Sequence, residues 1–348
     1  MAARTPLTAM SIYRIARLAG VSPSSVSLAL RDSPKISAAT KRRIRGIARR
    51  QGYRPDARLN ELMARMRLSS ALRGRACLAV VSLYDDAAPW SRSAHHARIY
   101  ASMAARADEL GYRLEPLWMR APGMTHRRFR AILDARGIEG ILCFGSPDVD
   151  AEFPAELRPY AVVTQGMSIR TPLHRVTGNF FNDMLHALDE VRRRGYRRPG
   201  LAISRYEDAR SNHAYVGAYL GWCEGAPGGP GLPVLRLGRV EDGPVRSWLR
   251  RCRPDVVVFV HDRESLGELA SILRRQRIRV PGDLGVAAVS QILDGTGFSG
   301  LEENQRLIGR WAVELLVERM ANRDFGFPAS PRVEMVESLW VDGGSLRP

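Results

Sequence analysis

Apolar residues recur along this chain in two rhythms, and the change between them falls near residue 76. Before it, Ile12, Ile15, Ala16 and Ala19, then Val26, Ala29 and Leu30, then Ile44, Ile47 and Ala48 return at every third or fourth position, which places each set on one face of a helix. The punctuation agrees. Ser11 can cap the first helix and Gly20 end it; Ser22 with Pro23 behind it opens a second only two residues later; Ser37 can cap a third, with Gly52 after its end. Pro55 stops that helix, and Leu59, Leu62, Met63 and Met66 form a further stripe, capped by Asp56, that needs a partner to cover it. The stretch "LSSALRGR" then reads as linker. From Cys77 onward short apolar strands ("CLAVVSL", "EGILCF", "YAVVT", "VVVFV") alternate with amphipathic helices, the pattern of parallel sheets flanked by helices on both faces. The fold class is therefore α + α/β: an extension over residues 1–10, a three-helix helix-turn-helix headpiece over 11–54, a hinge helix and linker over 55–75, and a two-lobed, doubly wound α/β core over 76–348.

Charge divides the chain at the same place. Residues 1–75 hold 17 Arg or Lys against three acids, whereas the remainder holds 36 against 33, so the basic excess belongs to the headpiece and hinge. Such a segment beside a nearly neutral body points to nucleic acid as its partner. Within the second helix Ser24, Ser27, Leu28 and Arg31 share the side opposite the apolar one, a face that can enter a groove and reach phosphates and base edges. A catalytic turn is excluded there: no G-x-S-x-G occurs and no nearby histidine could act as base.

"IYRIARLAGVSPSSVSLALRDSPKISAATKRRIRGIARRQGYRP", residues 12–55, resembles the headpiece of the LacI/GalR (lactose repressor) family of bacterial transcription regulators, down to "AGVSPSSVS" and the "GYRP" ending. The resemblance implies a homodimer whose two headpieces read a pseudo-palindromic operator in double-stranded DNA. It assigns Ser11, Tyr13, Ser22, Ser25, Ser37 and Thr40 to phosphates and Pro23, Ser24 and Leu28 to bases, with Tyr53 and Arg58 as further DNA contacts. Leu28 stands where the family usually has arginine, so the operator core is expected to differ from the usual one. Leu62 matches the leucine that the family pushes into the minor groove; a plain helix–helix contact in the dimer is the alternative reading.

"GYRRPGLAI", "PDVVVFVHD", "RVPGDLGV" and "NQRLIGRWAVELL" extend the resemblance to a periplasmic-binding-protein-like effector core. Its chain is expected to cross between lobes near residues 165, 290 and 325, giving lobe 1 at about 76–165 and 291–325 and lobe 2 at about 166–290 and 326–348. Ligands in open α/β sheets sit beyond the carboxyl ends of strands. Asp262, just after "VVVFVH", is a candidate both to accept hydrogen bonds from an effector and to cap the next helix. Arg210 lies near the family's ligand-binding arginine, with Asn212 as competitor, and Trp90 is either a stacking platform or a core aromatic. Ser290 falls where sugar-responsive members place an aspartate, and Asn179 replaces another acid, so the expected effector is a sugar derivative rather than an unmodified hexose.

These readings converge on a DNA-binding transcriptional regulator, expected to be a repressor, cytoplasmic, not an enzyme, and needing no cofactor or metal. The opening ten residues hold no continuous apolar run for export, and no segment approaches the roughly 20 apolar residues of a membrane span. Cys77, Cys143, Cys223 and Cys252 match no zinc or redox spacing. Two alternatives stay open at this point: a constitutive DNA-binder whose core only dimerises, and a small-molecule binding protein or enzyme with an incidental basic arm.

Overall fold

The computed structural model describes residues 12–22, 25, 26, 29, 36–50, 76–225, 231–290, 293 and 295–348. The chain divides into two compact units, Met1–Gly74 and Arg75–Pro348.

In the first unit, helix α1 (Ile12–Ala19) ends where the sequence placed its stop: Gly20 takes φ +61°, and the Val21 amide folds back to the Ala16 carbonyl at 3.1 Å. The chain restarts at once. Ser22 Oγ accepts from the Ser25 amide at 3.1 Å and the Ser22 carbonyl from that of Val26, so residues 25, 26 and 29 are helical. Ser37 repeats this device for α2 (Ala38–Arg50), with Thr40 N–H donating to Ser37 Oγ at 3.3 Å. The three helical pieces bury Ile15, Ala16, Ala19, Val26, Ala29, Ile44 and Ala48 together, the residues of the sequence's apolar faces. So small a core leaves little stability to spare, and each cap matters. Ser22→Ala and Ser37→Ala are each expected to cost about 1 kcal/mol. Hydrogen exchange on the full chain should show headpiece amides opening roughly fivefold more often, with core amides unmoved.

The second unit contains two six-stranded sheets. In the first, β1 (Ala76–Ser82), β2 (Tyr112–Trp118), β3 (Gly140–Cys143), β4 (Ala161–Gln165), β5 (His174–Gly178) and β11 (Val333–Val336) lie in the order β11-β5-β4-β3-β1-β2, every pair parallel. Helices α3 (Ala94–Glu109) and α4 (His126–Ala135) connect them. In the second, β6 (Pro199–Ser204), β7 (Leu235–Leu237), β8 (Val256–Val260), β9 (Gly285–Ser290), β10 (Ser299–Glu302) and β12 (Leu339–Val341) run β12-β10-β9-β8-β6-β7; only β12 is antiparallel to its neighbour. Here the helices are α5 (Phe180–Arg193), α6 (Arg205–Arg210), α7 (Ala214–Gly225), α8 (Asp242–Cys252) and α9 (Arg263–Arg275). Strands such as "VVVFV" are buried along their whole length because helices cover both faces, which is why they read as unbroken apolar runs.

The crossings between sheets come later than near 165, 290 and 325. His174–Gly178, read from sequence as opening the second lobe, pairs instead with β4 and β11, so the first crossing follows Gly178. The second follows Glu302: α10 (Gln305–Ala321) packs Ile308, Ala312 and Leu316 on Leu78, Val80 and Leu142 of the first sheet. The third lies between Val336 and Leu339. An apolar run announces a strand, but only its hydrogen-bonded neighbours decide its sheet. Two of the crossings are tied together. Ser338 donates its amide (3.1 Å) and hydroxyl (2.7 Å) to the buried Asp183 carboxylate, and the Asn179 amide donates to the Val336 carbonyl. Gly309 lets α10 approach α3 so closely that a Cβ there would stand 2.5 Å from the Ile99 carbonyl oxygen. This contact holds the start of α3 against the second crossing, where the cleft lies.

Candidate functional site

The described part of the headpiece presents hydroxyls and cations together. Exposed hydroxyls stand in pairs at two helix starts, Ser22 with Ser25 and Ser37 with Thr40, both 2.9 Å apart, where amides and the positive end of the helix dipole favour an anion. Helix α2 adds six Lys or Arg and no acid. Ser22, Ser25, Ser37 and Thr40, which the resemblance assigns to phosphates, are the hydroxyls at these two helix starts. Ser11, Pro23, Ser24, Ser27, Leu28, Arg31, Tyr53, Arg58 and Leu62 lie outside the described residues, as does the Tyr13 side chain.

In the core, the carboxyl ends of strands from both sheets converge on a cleft. Two cavities of about 350 and 290 Å³ meet at Arg210. The first lobe contributes Tyr84 after β1, His95 and His96 at the start of α3, Phe144 and Ser146 after β3, and Gln165 at the end of β4. The second contributes Tyr206, Glu207 and Arg210 on α6, Tyr215 on α7 and His261 after β8; Glu303 stands at the second crossing. Arg210 Nε donates to Glu207 Oε2 at 2.6 Å, and the guanidinium lies 5.4 Å from the centre of the Phe180 ring. Burial alone would weaken this cation, but Glu207 and Glu303 outweigh it and raise the Arg210 value, so the charge is kept.

Polar atoms here await partners. His95 Nδ1, Glu303 Oε2 and His261 Nε2 are buried without a hydrogen bond; the first two lie 3.2 Å apart but out of alignment. Buried polar groups are rarely left so, and three around one cleft mark a place where a ligand can supply donors and acceptors. Burial, helped by Arg210 and Arg98, lowers His95 from 6.5 to about 3. His96 falls to about 3 as well, through burial and then His95 and Arg210. Both imidazoles are neutral at neutral pH. Burial raises Glu303, against the opposing pull of Arg210.

Of the core residues singled out from sequence, Arg210 is at the centre of the cleft. Asp262 is half exposed and serves as the α9 cap: one oxygen accepts from the Ser265 amide at 2.8 Å, and the other lies 3.1 Å from His261 Nδ1. Its neighbour His261 is the strand-end side chain that lines the cleft. Trp90 stacks on Tyr100 at 4.4 Å and touches Phe144, behind the cleft wall. Asn179 caps α5, its Oδ1 accepting from Asn182, and Asn212 is exposed in a turn at φ +53°. Ser290 ends β9 opposite Glu302; its side chain lies outside the described residues. Sequence reasoning missed Tyr84, His95, Gln165, Tyr206, Glu207, Tyr215, His261 and Glu303 as cleft residues. The signal available was position for six of them, since Gln165 ends a strand, His261 and Glu303 follow one directly, and Tyr84, Tyr206 and Glu207 come within three residues of one; His95 and Tyr215 carried no such signal.

A capped helix-turn-helix headpiece joined to a two-lobed core with a polar cleft defines a DNA-binding regulator with an effector-binding core. The comparisons agree. Residues 11–56 match the bacterial regulatory proteins of the lacI family, and residues 188–346 match the periplasmic binding protein-like domain. The lactose operon repressor of Rhizobium radiobacter is 34% identical over 89 residues, 24% of this chain and 77% of that protein. The chain belongs to the LacI family of bacterial transcriptional regulators. Among solved structures, a transcriptional regulator CelR–cellobiose complex aligns over 97% of this chain and 99% of its own (TM-score 0.59, 20% identity). A lac repressor dimer bound to operator and the anti-inducer ONPF aligns over 98% and 100% (TM-score 0.57, 14% identity). At these identities the structural likeness concerns the fold.

Proposed function

We propose that this regulator binds a pseudo-palindromic operator as a homodimer, in the cytoplasm, and that an uncharged polyhydroxyl compound taken into the interlobe cleft changes its operator affinity. The observation that carries the reading is Arg210, largely but not fully buried, flanked by two carboxylates and by unpaired polar atoms from both lobes. A ligand bound there touches both lobes, so it binds their relative arrangements unequally, which is what linkage to DNA requires. Because Glu207 and Glu303 already balance Arg210, no positive charge is left over for a phosphorylated or acidic ligand. The structural neighbours support the pairing: cellobiose accompanies one and operator DNA the other.

Selection of random duplexes with the purified chain should return two related half-sites, with binding that weakens steeply in salt. Leu28→Arg should move the preferred base at one position of each half-site, since arginine favours guanine. Calorimetry against neutral saccharides, nucleosides, sugar acids and sugar phosphates tests the cleft. Tight binding of a sugar phosphate would overturn the charge argument, and a selected motif without two-fold symmetry would overturn the dimeric reading.

A further inference from the structure

We propose a second nucleic-acid contact on this chain, at the end of the second sheet opposite the cleft, formed by arginines that no carboxylate among the described residues neutralises. Helix ends and strand starts meet there: α5 runs into β6 through "RRRGYRR" (residues 192–198), α8 into β8 through "RRCR" (250–253), and α9 into β9 through "RRQRIR" (274–279). The three strands are adjacent, with Pro199, Val256 and Gly285 in register at their starts. Hydrogen bonds join the turns into one surface. Asp255 accepts from the Arg197 and Arg198 amides at 2.7 and 2.9 Å, its own amide donates to the Arg198 carbonyl, and the Gly285 amide donates to the Asp255 carbonyl.

These segments hold twelve arginines. Those nearest α5 are matched by Asp189, Glu190 and Asp342, and Arg279 is matched by Asp283. Arg198 is spent on the Cys252 and Arg253 carbonyls. Arg197, Arg250, Arg251, Arg274, Arg275 and Arg277 are exposed, and among the described residues no carboxylate pairs with them. In the first lobe Arg92, Arg106, Arg120, Arg136, Arg170 and Arg332 each hold a carboxylate, and Arg127 and Arg128, exposed without one among the described residues, stand together at the start of a single helix. Since residues 76–348 are nearly neutral in total, arginine-rich composition does not explain an unpaired cluster at one end. The negative ends of the helix dipoles account for a cation in each last turn, not for two or three with another beyond. Arg253 and Arg277 even adopt left-handed backbone (φ +46° and +56°) at positions where glycine is sterically free.

Guanidinium groups spread over two helix ends and three strand starts exceed what one phosphate can use, but suit a polymer with a charge at every residue. Duplex DNA is the polyanion that the headpiece already makes a partner of this chain, so the inference rests in that respect on the DNA-binding reading above.

The test uses the full chain and a random-sequence duplex of roughly 40 base pairs, starting from about 50 mM salt. One variant carries Arg250→Gln, Arg251→Gln, Arg274→Gln, Arg275→Gln and Arg277→Gln; another carries Arg42→Gln, Arg43→Gln and Arg49→Gln in α2. Unchanged circular dichroism and melting establish that both are folded. The lobe variant is expected to bind about tenfold more weakly, with a salt slope smaller by two or more, at about 0.9 for each phosphate left without its arginine. The headpiece variant is expected to keep a salt-sensitive remainder. Equal affinity and slope in the lobe variant overturn the proposal, as does a headpiece variant with no remainder. Displacement of that remainder by poly-L-glutamate as readily as by duplex, charge for charge, overturns it in favour of an acidic protein partner. A headpiece variant that binds like the unmodified chain counts instead against the headpiece reading.

Discussion

Replacing Arg210 by methionine is expected to abolish the effector response and to cost the core about 3–5 kcal/mol, the usual loss when one member of a buried charge group is removed. Arg210 is the only cation in direct contact with Glu207 among the described residues, and its field opposes the burial that raises Glu303. Methionine fills much the same volume but leaves both carboxylates facing a poorly solvated cleft. The cost therefore arises from the charges left behind. Adding Glu207→Gln and Glu303→Gln to Arg210→Met should recover most of the stability, because no uncompensated charge then remains, yet the effector response should stay absent. Thermal melting of the full chain, read at a tryptophan of the core, measures the first quantity. Duplex binding with and without the compound identified by calorimetry measures the second. A single variant that loses less than about 1 kcal/mol would mean that Arg210 is not holding buried carboxylates. A triple variant that still responds would remove Arg210 from the effector site.

Acid should destabilise the core from about pH 6.5 downward, the ordinary imidazole value. His95 and His96 are lowered to about 3 in the fold, so each takes up a proton on unfolding at any pH between those limits. The stability they contribute is fully present above 6.5 and is lost as pH falls toward 3, at about 1.4 kcal/mol per pH unit for each histidine once the unfolded form is protonated. Two carboxyls act in the other direction. Burial raises Asp183 from 3.8 to about 6, against hydrogen bonds from Ser338, and raises Glu303. Their contribution is fully present below the unfolded value and is lost as pH rises through the folded one, so on acidification it offsets part of the histidine loss. The net slope between pH 6 and 4 should therefore be shallower than two protons per molecule. His95→Gln with His96→Gln should flatten the melting temperature against pH over that range, whereas Asp183→Asn should steepen it. Identical profiles for the histidine variant and the unmodified chain would show that the two imidazoles are not neutral and buried.

What the sequence determined by itself was local. Ser22 and Ser37 could be named as caps because a cap is satisfied by amides within the next turn, and the Ser25 and Thr40 amides do so. The apolar faces of the headpiece were legible because one helix repeat fixes which side is buried, and Ile15, Val26, Ala29, Ile44 and Ala48 are all in its core. Asp262 was readable as a cap for the same reason, and unbroken runs such as Val256–Val260 announced strands covered on both faces. Tertiary structure decided everything that depends on which distant segments meet. His174–Gly178 joins the first sheet because β4 and β11 flank it, and no property of those five residues says so. The cleft sets His95 against Glu303, more than two hundred positions away, through the close approach of α3 and α10 at Gly309. Charge states followed the same division: whether a histidine is neutral or an arginine is held depends on burial and on neighbours brought by chain crossings, quantities that spacing along the sequence does not contain.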